Sequence, residues 1–252
     1  MQLRRFYIPT LTTEDETVVL PEGESQHALR VLRLSPGDEV LLLNGQGLVA
    51  LAELQASPDG ARKGRQAVCR VLEIQEHPRL EPQLALCVAP PRGKAFEWIL
   101  RTATELGVAV VQPILCRYGM ARPEGVSENW LETLAAALKQ SQNPWLPEVR
   151  APRVFSVVLQ EAISGGEASI FGASPAAEAT PHQPLSSEMA VRVSRVWVGP
   201  EGGFAPDEEA ALLTAGCVPV TIGSSTLRVE TAVPALMGYL WGCRHAGKEE
   251  AR

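Results

Sequence analysis

No run of eighteen apolar residues occurs in the chain, so the sequence offers no membrane-spanning helix. Its first residues, Met-Gln-Leu-Arg-Arg-Phe-Tyr-Ile-Pro, lack the apolar core of a secretory signal. Cysteine is sparse and scattered: Cys69, Cys87, Cys116, Cys217 and Cys243 form no close pair among 252 residues. That spacing argues against a zinc site and a disulfide framework, and points to a reducing, cytoplasmic setting. Four isolated histidines give no metal cluster, and no metal is expected. There is no Walker loop, and no Gly-x-Gly-x-x-Gly follows a strand, so a classical nucleotide fold is unsupported. Positive charge is short as well. The net charge is −6, divided as −2 over residues 1–75, +1 over 76–154 and −5 over 155–252. That balance argues against an indiscriminate nucleic-acid binder, so an RNA partner would be recognised by its shape more than by phosphate charge.

What is present describes a soluble globular protein, 45% hydrophobic and 21% charged. The length allows one large domain or two small ones. Residues 1–75 read as a small β domain, with strand candidates at 4–7, 17–20, 39–43, 48–54 and 67–74. Asn44-Gly45-Gln46-Gly47 is the expected hairpin turn, and a further loop is expected over 57–65. One helix, over 25–32, carries Arg30 and Arg33 on or beside it. Residues 76–82 are polar, hold two prolines and read as a linker that opens the second domain, 76–252. There, strands expected at 84–89, 108–115 and 168–171 alternate with helices at 95–106, 127–141 and 155–163. Such alternation implies an α/β fold with a mostly parallel sheet. Residues 173–188, rich in Ala, Ser and Pro, read as irregular.

The most informative stretch is 196–230. Val196 to Val198 ends at Gly199-Pro200-Glu201-Gly202-Gly203, and Pro206-Asp207-Glu208-Glu209 then opens a helix with acids at its positive end. A second strand at 219–222 runs into the loop Gly223 to Arg228. A last helix over 232–244, apolar on nearly every side, follows with Thr231 as its expected cap and Pro234 in its first turn. Two strands therefore each end in a glycine loop that feeds a helix. In a parallel sheet such loops share the carboxyl edge, where ligands bind. Glycine there lets a ligand lie against the main chain.

Gly-Pro-Glu-Gly-Gly-Phe at 199–204, paired with Leu-Arg-Val-Glu-Thr-Ala at 227–232, resembles the signature of the RsmE family. These are 16S ribosomal RNA uracil-N3 methyltransferases of the SPOUT class. Further segments resemble the family in order: Arg5-Phe-Tyr-Ile-Pro9, His27 to Arg33, Thr104-Glu-Leu-Gly-Val108, and the stretch from Gln140 to Val149. The resemblance implies an N-terminal PUA-like β-barrel for RNA, a C-terminal SPOUT α/β domain with a trefoil knot, and a homodimer packed through the last helix. It implies S-adenosylmethionine as methyl donor and 16S rRNA in the assembled 30S subunit as partner, with no membrane. The cofactor would be held by Gly172, Gly199, Pro200, Glu201, Gly202, Gly203, Ile222, Gly223 and Leu227. Arg228 would stabilise the uracil anion, and Glu230 would accept the proton or position Arg228. RNA contacts would fall to Arg5, Arg30, Arg33, Arg92 and Lys94. The chain departs from the family in carrying Ala95, Thr102 and Asn143 where relatives often have lysine or arginine. The alternatives are a binding module of this fold without catalysis and a methyltransferase acting on a different RNA.

Overall fold

Buried positions alternate along residues 48–54, with Ala50, Ala52 and Leu54 turned inward and their neighbours only partly covered. This two-residue period makes one face of a strand apolar, and it sets the first half of the fold. The computed structural model describes residues 3–56, 66–173 and 184–249. The loop expected over 57–65 and most of the irregular segment expected over 173–188 lie outside the described residues. The chain forms two compact units. One comprises Met1–Arg79 with Ala135–Leu146, and the other Leu80–Leu134 with Pro147–Arg252.

In the first unit, β1 (Arg4–Tyr7), β2 (Thr17–Val19), β3 (Glu39–Leu43), β4 (Leu48–Leu54) and β5 (Val68–Glu76) form a sheet in the order β1-β3-β4-β5-β2. β1 runs parallel to β3, and the other pairs are antiparallel. All five strands feed one core, through residues such as Phe6, Val18, Leu42, Ala52 and Cys69. The β3–β4 turn is pinned by Asn44, whose Oδ1 accepts from the Gln46 and Leu48 amides at 2.7 and 3.0 Å. Gly47, at φ +98, has no room for a side chain, because a Cβ would lie 2.4 Å from the Trp145 ring. That indole donates to the His77 carbonyl at 3.1 Å, and Leu146 donates its amide to Gly45 at 2.9 Å.

The helix expected over 25–32 is different in kind. An α-helical turn, α1 (Glu22–Gln26), passes into a π turn over His27–Val31, and the Leu32 amide reaches back five residues to the His27 carbonyl at 2.9 Å. Ser25 fixes the entry: its Oγ donates to Leu20 and accepts from the Ala67 amide. The wider turn keeps Ala28, Leu29 and Leu32 all against the core.

The second unit is a wholly parallel sheet. β6 (Ala85–Val88), β7 (Val110–Leu115), β8 (Glu148–Val149), β10 (Ala168–Gly172), β11 (Val193–Val198) and β12 (Val218–Val220) run in the order β12-β10-β11-β6-β7-β8, and β9 (Arg153–Val154) pairs with β7. β8 and β9 are too short to leave a periodic trace and were not expected. β6 is a continuous apolar run, as burial on both faces requires, whereas β7 carries the buried Gln112 and β11 carries Ser194 and the buried Arg195. Around them lie α2 (Ala95–Glu105), α3 (Glu128–Ser141), α4 (Phe155–Ser164), α5 (Ser187–Ala190), α6 (Pro206–Thr214) and α7 (Val229–Glu249), with α3 contributing to both units. α5 falls where irregular chain was expected; Ser186 starts it by accepting the Met189 amide at 3.2 Å.

α7 also starts earlier than expected. The Arg228 carbonyl accepts from the Thr231 and Ala232 amides at 2.9 and 2.8 Å, so the helix opens at Arg228 and Thr231 is not its cap. Pro234 lies inside the helix rather than in its first turn. It has no N–H to return to the Glu230 carbonyl.

Candidate functional site

Because every strand pair of the second sheet is parallel, the loops after β6, β7, β10, β11 and β12 emerge on one edge. There a cavity of about 280 Å³ opens, near the lower end of small-molecule pockets, which run from roughly 300 to 1,000 Å³. Gly172 and Ala173 supply its floor from β10. The loop after β11 supplies Gly199, Pro200, Glu201, Gly202 and Gly203. The stretch after β12 supplies Ile222, Ser225, Thr226 and Leu227, and the first turns of α7 supply Val229, Ala232 and Leu236.

The loop after β11 is tightly built. A Cβ on Gly199 would lie 3.1 Å from the Phe204 amide and 3.2 Å from its ring. Phe204 anchors the loop by packing on Phe155 and Phe171, at centroid distances of 5.6 and 6.2 Å. The Gly203 amide donates to Pro200 at 2.8 Å, and Gly203 takes φ +75, a left-handed conformation that suits glycine. Glu208, buried on α6, closes the loop: its Oε2 accepts from the Ala205 amide at 2.9 Å, and its Oε1 accepts from the Arg117 amide at 2.8 Å. Arg117 reaches on to Asp207 at 2.6 Å. Burial, aided by the Glu208 charge, pushes the neighbouring Cys116 thiol well above its ordinary value, so it stays neutral.

Of the cofactor positions expected from the sequence, all but Gly223 line the cavity. Gly223 sits in the same loop at φ +71, exposed, with nothing within 4 Å of where its Cβ would be. Gly202 does not need left-handed geometry; its Cβ position lies 3.4 Å from the Cβ of Tyr118. Arg228 stands between lining residues Leu227 and Val229, with 84% of its side chain exposed, and its Nη1 is 4.0 Å from Glu230 Oε1. Glu230 is more sheltered, at 27%. Exposed pairs at that distance contribute about 1 kcal/mol at most, so the pairing does not tie Arg228 down.

Arg92 and Lys94 are exposed in the loop after β6, on the same edge as the cavity. Arg30 and Arg33 are exposed in the first unit, Arg33 at φ +55. Arg5 is half-buried: its Nη1 donates to the Lys139 carbonyl at 3.3 Å, and its Nε is buried without a partner among the described residues. Thr102 is 8% exposed, so a lysine there would face the interior. No group of three or more metal-ligating side chains occurs among the described residues, and no described helix is long and apolar enough to cross a membrane.

Sequence reasoning missed Tyr118, Glu208 and the α7 wall. The wall was signalled: Val229, Ala232 and Leu236 recur three and four residues apart, a helical stripe directly after the loop. Glu208 was noted only as an acid at a helix start, while its second partner, Arg117, is ninety-one positions away.

A small ligand with an apolar body and polar edges fits this cavity. Its polar lining is largely main chain, its apolar walls are Val220, Ile222, Leu227 and Leu236, and Ser225, Thr226 and Glu201 supply polar side chains. Gly172 makes the floor possible, since a Cβ there would meet Leu236 at 2.9 Å.

Residues 78–241 match the family described as "RNA methyltransferase domain", and residues 20–61 match "RNA methyltransferase PUA domain". A protein of Synechocystis sp. named "Ribosomal RNA small subunit methyltransferase E" is 32% identical over 225 residues, covering 86% of this chain and 70% of that protein. A protein of the same name from Mycobacterium bovis is 29% identical over 243 residues, covering 92% and 89%. Among solved structures, a ribosomal RNA small subunit methyltransferase E from Neisseria gonorrhoeae, bound to S-adenosyl methionine, superposes with a TM-score of 0.82 at 24% identity, covering 96% and 98%.

Proposed function

Since the chain belongs to the RNA methyltransferase family that includes the ribosomal RNA small subunit methyltransferase E proteins, we propose that it methylates N3 of a specific uridine of 16S rRNA in the assembled 30S subunit, with S-adenosylmethionine as donor. The observation that carries this reading is the cavity of carboxyl-edge glycine loops with an uncommitted guanidinium between two of its lining residues. The donor brings a methyl group activated on a sulfonium. Main-chain groups of 199–203 and 222–227 hold it, and the walls from Ile222, Leu227 and Leu236 exclude water. Glu230 takes the proton from uracil N3. Arg228 holds the negative charge that spreads onto O2 and O4, a task for preorganised donors that stay charged.

In the same reading, residues 1–75 form the RNA-binding domain, with Arg30 and Arg33 toward RNA, and 76–252 form the methyltransferase domain, knotted around the two loops and working in the cytoplasm. A homodimer packs through α7, whose Gly238 and Gly242 are exposed one turn apart with open space around them, a surface another helix can approach closely. Sedimentation should then give twice the 27.2 kDa chain mass, and a stable monomer at micromolar concentration counts against the dimer. The activity is tested by incubating the protein with labelled S-adenosylmethionine and 30S subunits lacking the modification, then mapping the labelled nucleoside. Label on N3 of one uridine is expected. Label elsewhere, or none, overturns the assignment.

A further inference from the structure

The loop after β7 is held by more bonds than a surface turn needs. Its first residue, Cys116, is buried, and the Cys116 carbonyl accepts from both the Gly119 amide and Arg122 Nη2 at 3.2 Å. The Arg117 amide is fixed by Glu208, and its guanidinium by Asp207. These ties leave the backbone at 116–119 little freedom, yet the ring they carry is not buried. Tyr118 is 46% exposed. Its Cβ, Cγ and Cδ2 lie 3.4 to 3.8 Å from where a Cβ on Gly202 would be, so it packs along a residue of the cavity lining. β6 separates β7 from β11 in the sheet, and the loop after β6 adds exposed Arg92 and Lys94 along the same edge.

We propose that Tyr118 is a substrate-binding residue, the platform on which a base of the target RNA stacks beside the methyl-transfer cavity. The proposal rests on the activity proposed above and goes beyond it in naming the surface that receives the base. To expose N3, a uracil must leave its stack or already be unpaired, and the extruded base needs a new face to lie on. Single-stranded RNA is bound in this way, with aromatic rings taking the base faces and cations taking the phosphates. A ring held by a fixed backbone loses little freedom when a base settles on it, so the stacking energy is kept. Arg92 and Lys94, exposed on the same edge, are the cations offered to the RNA's phosphates.

The test compares Tyr118→Ala, Leu, Phe and Trp by single-turnover methylation of 30S subunits, with cofactor affinity measured by calorimetry and folding by thermal melting. Alanine and leucine should lower kcat/KM for the RNA roughly 5- to 100-fold, the range for losing one stacked base. Phenylalanine and tryptophan should stay within about twofold of wild type, and S-adenosylmethionine affinity should not change in any variant. Leucine fills the space against Gly202 without offering a flat face. Wild-type kcat/KM in the leucine variant therefore means that Tyr118 only packs, and overturns the proposal. Lost cofactor affinity in the alanine variant also overturns it, by placing Tyr118 in the cofactor wall. If wild type itself transfers no methyl group to rRNA, the proposed function has failed separately. Stacking is then read by photocross-linking to single-stranded RNA carrying 5-iodouridine: an adduct on Tyr118 supports the platform, and adducts only elsewhere overturn it.

Discussion

The two glycine loops that face each other across the cavity are built on opposite principles. The loop over 199–205 is fastened throughout, by its internal Gly203–Pro200 bond, by Phe204 in an aromatic cluster, and by Glu208, which holds Ala205 and the β7 loop together. The stretch over 221–228 has few such ties among the described residues. Gly223 to Thr226 are exposed, the buried Thr221 hydroxyl has no partner, and the chain is secured again only where the Arg228 carbonyl starts α7. One side of the cavity is thus a preformed wall, and the other is the side that can adjust to a ligand. The residue assigned to chemistry stands at the end of the adjustable side, next to the rigid first turn of a helix.

The sharpest way to break this comparison is at that residue. Arg228→Ala should slow single-turnover methylation about 100- to 1,000-fold with cofactor affinity unchanged, and Arg228→Lys should rescue it only in part. A wild-type rate in the alanine variant would make Arg228 structural. Next in size is the fastening of the rigid wall. Glu208→Ala leaves the Ala205 and Arg117 amides without their acceptors, and an orphaned buried donor costs about 1–3 kcal/mol. A fall of that order in denaturant-measured stability, together with weaker cofactor binding, is expected; unchanged values for both would mean that the wall does not depend on Glu208. On the adjustable side, Gly223→Ala meets no neighbour and suffers only from the left-handed backbone, about 1–2 kcal/mol. It should weaken cofactor binding less than Glu208→Ala does, and the reverse order would undo the distinction between the loops. Smallest is Thr221→Val. It removes a buried hydroxyl that has no partner among the described residues, and should change stability by less than about 1 kcal/mol, toward higher values if at all. A loss of several kcal/mol would show that the hydroxyl has a partner in solution.

Much of this was legible in the sequence, and the reasons are local. β3 and β4 follow from two short apolar stretches on either side of the Asn44–Gly47 turn, the end of β11 from the apolar run Val196 to Val198 that stops at Gly199, and α6 from Pro206 and its acids. The cavity lining was readable because the strand–glycine–helix order fixes which loops share an edge. What failed to show depends on distant partners. The π turn at His27–Val31 comes from fitting Ala28, Leu29 and Leu32 to a core made by five strands. The start of α7 is set by a main-chain carbonyl, which no residue type announces. Tyr118 reads as an ordinary loop tyrosine until Glu208 and Gly202 are seen beside it.

The composition of the first unit bears on how the protein is made. Its sheet is synthesised by Arg79, but Lys139, which pairs with Glu24 at 2.6 Å, and Trp145, which fills the space over Gly47, come only after another stretch of the other unit. From Arg79 to Ala135 is 56 positions. At translation rates of about 5–20 residues per second, the nascent sheet waits roughly 3–11 seconds for the segment that completes it. A fragment cut at Arg79 should therefore emerge as an unfinished half whose empty berth at Gly47 attracts chaperones. Supplying 135–146 as a separate peptide should restore it, in the manner of a split reporter.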